Sequence, residues 1–197
     1  MADNDCRENI IVSSIPLFAA KGLNGVSVRE LATAASVNLS MISYYFGGKE
    51  GLYAAVLTQQ FAVLGRLEEI EQMEIDTLKK FELYVSATVS RYRKSPYLLR
   101  FYTSELTNPT ACFETIVKPA IKKVVQMLLD TFSDGLSHEN FRKDLNPADT
   151  VLALAGMINF YFLLEPATAD LVDHAPERDE ELIRHIMDIF TRGILKK

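Results

Sequence analysis

The sequence is poor in glycine and cysteine, and it has no apolar run long enough to cross a bilayer. With nine glycines among 197 residues, and no alternating apolar–polar stretch between turn residues, a β-sheet is not expected. The two cysteines and the absence of a signal peptide predict a reduced, cytoplasmic protein. The longest apolar run, residues 151–164, is shorter than the roughly 18–20 residues of a membrane helix, so no membrane partner is expected.

The composition predicts an all-α protein with a sizeable core. Hydrophobic residues make up 48% of the chain and charged residues 24%, which is typical of a globular protein. The net charge is −5, and the first 52 residues carry four basic and five acidic side chains. Bulk charge therefore does not indicate nucleic-acid binding, and any such function must depend on locally placed residues.

Local signals predict three short helices near the N-terminus. The first has apolar residues at helical spacing up to Gly22, with a bend expected at Pro16. Ser27 and Glu30 have the spacing of a capping box that opens the second helix, and Asn38 is placed to cap the third. A short connection between the second and third helices is the layout of a helix-turn-helix.

The stretch from Val37 to Leu52 resembles the recognition-helix signature of the TetR family of bacterial regulators. The resemblance is ungapped and extends over roughly residues 9–57. It implies a DNA-binding domain at residues 1–48 and a helical ligand-binding and dimerisation domain at residues 49–197. It also implies a ligand-responsive regulator, expected to be a repressor, that binds a palindromic operator as a homodimer and is released by a small, largely apolar effector.

The recognition helix has side chains suited to DNA. Leu39 and Met41 fit thymine methyls, and Ser40 can hydrogen-bond a base edge. A lysine at position 49, at a helix N-terminus, suits a phosphate. The residues predicted to contact DNA are Ser27, Arg29, Asn38, Leu39, Ser40, Met41, Tyr44, Tyr45 and Lys49.

Three residues depart from the family pattern. Ser36 replaces the usual turn glycine, Ser40 replaces a common small glycine, and Ser43 stands where a phosphate-contacting tyrosine often occurs. Ser27 also has the simpler interpretation of a plain helix cap, and Tyr45 that of a core residue.

Six further helices are predicted after the third, which gives about nine in all. Among them are a helix ended by Pro96, one closed by Gly135, one opened by Asn146 and a last one from about Glu177 to Ile194. The helix after Asn146 is apolar on nearly every side and the last helix has two apolar stripes, so both need covering. A partner subunit would cover them, whereas burial inside one chain is the alternative. The predicted dimer contacts are Leu154, Ile158, Phe162, Ile183, Ile186 and Phe190.

An effector site is predicted from aromatic residues and two isolated polar ones. Asn159 is the only polar side chain within its apolar run, and Glu105 shares a helix face with aromatic residues. Either can anchor a ligand in an apolar pocket, or can be an ordinary structural residue. The predicted ligand-binding residues are Tyr84, Thr88, Phe101, Glu105, Asn159 and Phe160.

The sequence gives no support for an enzyme, a metal site or a cofactor. The three histidines lie far apart, and neither cysteine has a neighbour at metal-ligand spacing. Gly48-Lys49 is followed by Glu50 and so does not form a phosphate-binding loop. The alternative function is a helical, dimeric interaction module that does not bind DNA, and the near-neutral N-terminal region leaves this alternative open.

Overall fold

The computed structural model describes residues 2–62, 68–138 and 140–196. Within these ranges the chain is α-helical, without strands beyond an isolated bridge between Phe141 and Leu195. The α-helices are α1 (Ala2–Lys21), α2 (Val28–Ala34), α3 (Leu39–Phe46), α4 (Lys49–Ala62), α5 (Glu68–Glu71), α6 (Thr77–Lys94), α7 (Leu98–Thr107), α8 (Lys118–His138), α9 (Pro147–Thr168) and α10 (Asp179–Ile194). A π-helical turn, Phe113–Val117, leads into α8, and a 3₁₀ turn, Pro176–Arg178, precedes α10. The all-α prediction is confirmed, and the single turn α5 is additional to the nine predicted helices.

Most predicted helix ends are present. At the end of α1, Gly22 has a φ of 67°, and its amide donates to the Phe18 carbonyl. At the start of α9, the Asn146 side chain accepts a hydrogen bond from the Asp149 amide. The Asn38 side chain, in contrast, makes no capping hydrogen bond although it occupies the cap position of α3.

The expected helix end at Gly135 is wrong. Gly135 lies inside α8, which continues to His138. A Cβ at Gly135 would lie 2.3 Å from the ring of Phe141, a side chain that is fully buried. This glycine is therefore required by close packing and does not mark a helix terminus.

The chain forms two compact units. The first comprises Met1–Val63 and Arg100–Pro119, so it contains the helix-turn-helix and also a later segment. In its core Tyr53 packs edge-on against Phe18, with ring centroids 5.0 Å apart, and also contacts Phe101. The domain boundary predicted at residue 48 lies just after the helix-turn-helix. The helix-turn-helix itself belongs entirely to this first unit.

The second unit comprises Leu64–Leu99 and Ala120–Lys197. Here α6 packs against α9 and α10, and Phe81 meets Phe190 edge-on at 5.0 Å. Arg93 joins the same helices: its guanidinium pairs with Asp179 at 2.9 Å and lies over the ring of Phe162. Hydrogen bonding to Asp179 raises the pKa of Arg93, so this cation stays charged within the unit.

Candidate functional site

The second helix of the helix-turn-helix begins with the predicted capping box. Ser27 Oγ accepts from the Glu30 amide, and the Ser27 amide donates to the Glu30 carboxylate at 2.8 Å. Lys21 forms an ion pair with the same carboxylate at 2.6 Å. Hydrogen bonds from Lys21 and Ser27 lower the pKa of Glu30 to about 2. The Ser27 hydroxyl also donates to Glu30, so the cap already uses the group that was predicted to contact DNA.

The turn between α2 and α3 has a left-handed residue. Ser36 has a φ of 57°, and its amide and that of Val37 donate to the Thr33 and Ala32 carbonyls. Asn9 of α1 donates to the Ala35 carbonyl at 2.8 Å and fastens the turn. A serine therefore adopts here a conformation that glycine adopts without strain.

The solvent-exposed side of the third helix carries both polar and apolar side chains. Ile42 is fully buried and fixes the inner face of α3, while Met41 and Tyr45 are half-buried. Leu39 is 48% exposed and Tyr44 74%. The exposed arc, which we call the α3 arc, consists of Leu39, Ser40, Ser43 and Tyr44.

Three further residues predicted to contact DNA, Arg29, Asn38 and Lys49, lie near the ends of α2, α3 and α4. Lys49 is half-buried at the start of α4, where its ammonium group donates to the Val26 carbonyl at 3.1 Å. An ammonium group has three donors, so this bond orients the lysine beside the start of α2 and leaves two donors for another acceptor. Arg29 and Asn38 are exposed.

Two predicted ligand-binding residues, Phe101 and Glu105, have structural partners in the first unit. Glu105 is fully buried and accepts a hydrogen bond from the Tyr53 hydroxyl at 2.8 Å and from the Thr110 amide at 3.1 Å. Burial, and then the hydrogen bond to Glu105, raise the pKa of Tyr53. Both carboxylate oxygens are thus occupied, and Glu105 fastens α7 to α4.

The other predicted ligand-binding residues lie in the second unit. Tyr84 and Thr88 are buried on α6. The Asn159 carbonyl oxygen accepts from the Tyr92 hydroxyl at 2.6 Å, which links α9 to α6. Phe160 is 59% exposed.

The predicted dimer residues of α9 and α10 are mostly interior. Leu154, Ile158, Phe162, Ile186 and Phe190 are buried within the chain, and Ile183 is half-buried. They are core because the same faces pack against α6. The exposed large apolar side chains of these two helices, which we call the α9–α10 face, are Leu152, Phe160, Leu163, Leu164 and Ile189.

The helix α9 is long and apolar enough to cross a membrane by length and composition alone, with a mean hydropathy of 1.4. Only 22% of the window with this hydropathy is buried inside the chain. Apolar surface of this extent requires cover. Among the residues that the structure describes, no group of three or more His, Cys, Asp or Glu side chains is placed to hold a metal ion.

The helix-turn-helix matches a known family of DNA-binding proteins. The family model described as "Bacterial regulatory proteins, tetR family" matches residues 10–56. The protein named "Probable HTH-type transcriptional regulator YttP", of Bacillus subtilis, is 29% identical over 130 residues, which are 63% of each protein. The HTH-type transcriptional repressor NicS of Pseudomonas putida is 24% identical over 196 residues, covering 95% of this chain and 92% of NicS.

The fold of the whole chain also matches a solved regulator. The transcriptional regulator FadR of Bacillus subtilis, solved with stearoyl-CoA, superposes with a TM-score of 0.75 at 18% identity, over 95% of this chain and 98% of FadR. Residues 10–56 therefore match the TetR family, and the curated relatives are named as HTH-type transcriptional regulators. These relatives are regulators and not enzymes.

Proposed function

We propose that this protein is a ligand-responsive repressor that binds a palindromic operator as a homodimer and is released by a small, largely apolar effector. The observation that carries the proposal is the α3 arc, held outward on a helix whose inner face is anchored by buried Ile42. A recognition helix reads the major groove through such exposed side chains. The name of NicS, a repressor, supports the direction of regulation, and we place the protein in the cytoplasm.

The DNA contacts divide into two kinds. Leu39, Ser40 and the half-buried Met41 read base edges, where small apolar groups contact thymine methyls. Tyr44, Arg29 and Lys49 contact phosphates. Because the first 52 residues carry four basic and five acidic side chains, the affinity for DNA depends on these few groups. The orienting bond from Lys49 to Val26 lowers the entropy lost on binding.

The homodimer forms through the α9–α10 face. Its five exposed apolar side chains would cover one another across a two-fold axis, as an isologous interface requires. Such a dimer presents its recognition helices ~34–36 Å apart, one turn of DNA. A helical interaction module without DNA binding would use the same face, so the dimer alone does not separate the two functions.

The effector binds to the second unit and changes the spacing of the recognition helices. The buried residues Tyr84 and Thr88 line the side of α6 on which we place it. FadR, with the same fold, was solved with stearoyl-CoA, which shows that a regulator of this fold binds a ligand with a long apolar chain. A small change in spacing weakens both half-site contacts at once.

Binding to DNA from the upstream region of the protein's own gene tests the proposal. We expect a shift of a labelled fragment that an unlabelled copy abolishes and scrambled DNA of equal length does not. Protein that is dimeric and folded but binds both DNAs with equal affinity, or neither, would favour the interaction module.

A further inference from the structure

A buried arginine in the second unit has a donor without an acceptor among the residues that the structure describes. Arg91, on the last turn of α6, is 7% exposed. Its Nε is a buried donor without an acceptor among the residues that the structure describes. This contrasts with Arg93, two residues further on, whose guanidinium is held by Asp179.

A second unsatisfied group lies beside it. The Thr88 hydroxyl is buried and also has no partner among the described residues. Residues 84, 88 and 91 recur at helical spacing, so Tyr84, Thr88 and Arg91 share one face of α6. Two neighbouring buried donors without acceptors are unusual in a folded protein.

Among the described residues, no acidic side chain is found to act on the charge of Arg91. Burial lowers the pKa of Arg91, and the groups that act in the opposite direction are the hydroxyls of Tyr92 and Tyr84, which are neutral near pH 7. A buried charge without a counter-ion is strongly unfavourable. An arginine stays protonated even so, so the site calls for an anion.

We propose that Arg91, together with Thr88, binds the anionic headgroup, a carboxylate or a phosphate, of a small amphipathic effector. The planar guanidinium matches these two groups because it can donate two parallel hydrogen bonds to a pair of oxygens. The Thr88 hydroxyl donates to a further oxygen of the same group. This inference rests on the proposed function, which it deepens by naming the headgroup of the effector.

Titration calorimetry with matched probes tests the headgroup. The probes are decanoate, decyl phosphate and neutral decanol, and inorganic phosphate reports the headgroup without a chain. We expect the full-length protein to bind at least one of the two decyl anions about tenfold or more tightly than decanol, as a charge-assisted hydrogen bond gives. The stronger of the two distinguishes a carboxylate effector from a phosphate one.

Variants assign the preference to Arg91. Arg91→Met should reduce the preference for the anion to nearly one, and Thr88→Val should weaken it by a few fold. Arg192→Met removes a cation whose side chain is 79% exposed in the same unit, and it should leave the preference unchanged. The proposal is overturned if wild type binds neither anion, if it binds anion and decanol equally, or if Arg91→Met keeps the preference.

The melting temperature measured without a ligand distinguishes a ligand-binding role of Arg91 from a structural role. Because Arg91→Met removes a buried cation whose Nε has no acceptor among the described residues, the melting temperature should rise. A large fall would mean that Arg91 is a structural residue, and it would contradict the proposal. Operator binding measured on the same samples reports on the proposed repressor independently, since loss of the anion preference leaves DNA binding of the free protein intact.

Discussion

Apolar side chains are exposed on both α3 and α9, and their surroundings differ. On α3, Leu39 stands among the hydroxyls of Ser40, Ser43 and Tyr44. On α9, Leu152, Phe160, Leu163 and Leu164 are exposed together on one helix. A single apolar group among donors suits a DNA groove, which offers methyls beside acceptors. A continuous apolar face suits only another apolar face, so the same kind of exposure indicates two different partners.

The largest expected effect comes from a pair of neighbouring phenylalanines on α9. Phe162 is buried against Tyr92, so Phe162→Asp should destabilise the chain by about 3–5 kcal/mol or more. Phe160, 59% exposed, should tolerate aspartate within the monomer but not at the interface. We expect an unfolded or aggregated protein for the first variant and a folded monomer for the second, measured by light scattering and circular dichroism. A folded dimer of Phe160→Asp would refute the α9–α10 face as the interface.

The next effect concerns the apolar residue of the α3 arc. Leu39→Ala should weaken operator binding by roughly 1–3 kcal/mol for each affected base pair and leave binding to random DNA unchanged. Leu106, on α7, is exposed to a similar extent, 47% against 48% for Leu39, and Leu106→Ala is the matched control. Fluorescence anisotropy on both DNAs measures the effect. Equal losses of affinity for operator and random DNA would contradict the assignment of Leu39 to a base edge.

The contribution of Lys49 should be smaller and independent of sequence. Lys49→Ala removes a phosphate contact, so the dependence of log affinity on log salt should fall by about one unit per subunit, on operator and random DNA alike. Lys49→Arg keeps the charge and is the control for the slope. Lys49→Ala also removes the hydrogen bond to the Val26 carbonyl, so thermal unfolding must first confirm that the helix-turn-helix is folded. A loss confined to the operator would place Lys49 at a base edge.

The smallest effect concerns stability and has opposite signs at two serines. Ser36 has a φ of 57°, so Ser36→Gly should relieve strain and stabilise the protein by about 0.5–1 kcal/mol. Ser43 lies within α3, so Ser43→Gly should destabilise it by a similar amount. Urea unfolding of both variants measures the difference. A destabilised Ser36→Gly variant would mean that the serine side chain stabilises the turn.

Residues whose signals are local could be read from the sequence. Ser27 and Glu30 form the predicted box because both partners lie within one helical turn, and Asn146 caps α9 for the same reason. Gly135 misled because its requirement comes from the ring of Phe141, and chain spacing does not reveal which side chain packs on a glycine.

The inward face of α9 could not be predicted for a different reason. Periodicity identifies a buried face only when the opposite face is polar, and both faces of α9 are apolar. The contacts of Phe162 with Tyr92 and Arg93 select the inner one. The hydrogen bond between Tyr53 and Glu105 could not be predicted either, because its two partners lie 52 residues apart in the sequence.

The composition of the first unit has a consequence for protein engineering. Tyr53 completes its contacts with Phe101 and Glu105, which belong to the segment Arg100–Pro119. In a chimera made by a single crossover after Tyr53, this tyrosine would come from one parent protein and the segment that it packs against would come from the other. Exchange of DNA specificity between regulators of this fold should therefore transplant two separate stretches of sequence, or only the residues of the α3 arc.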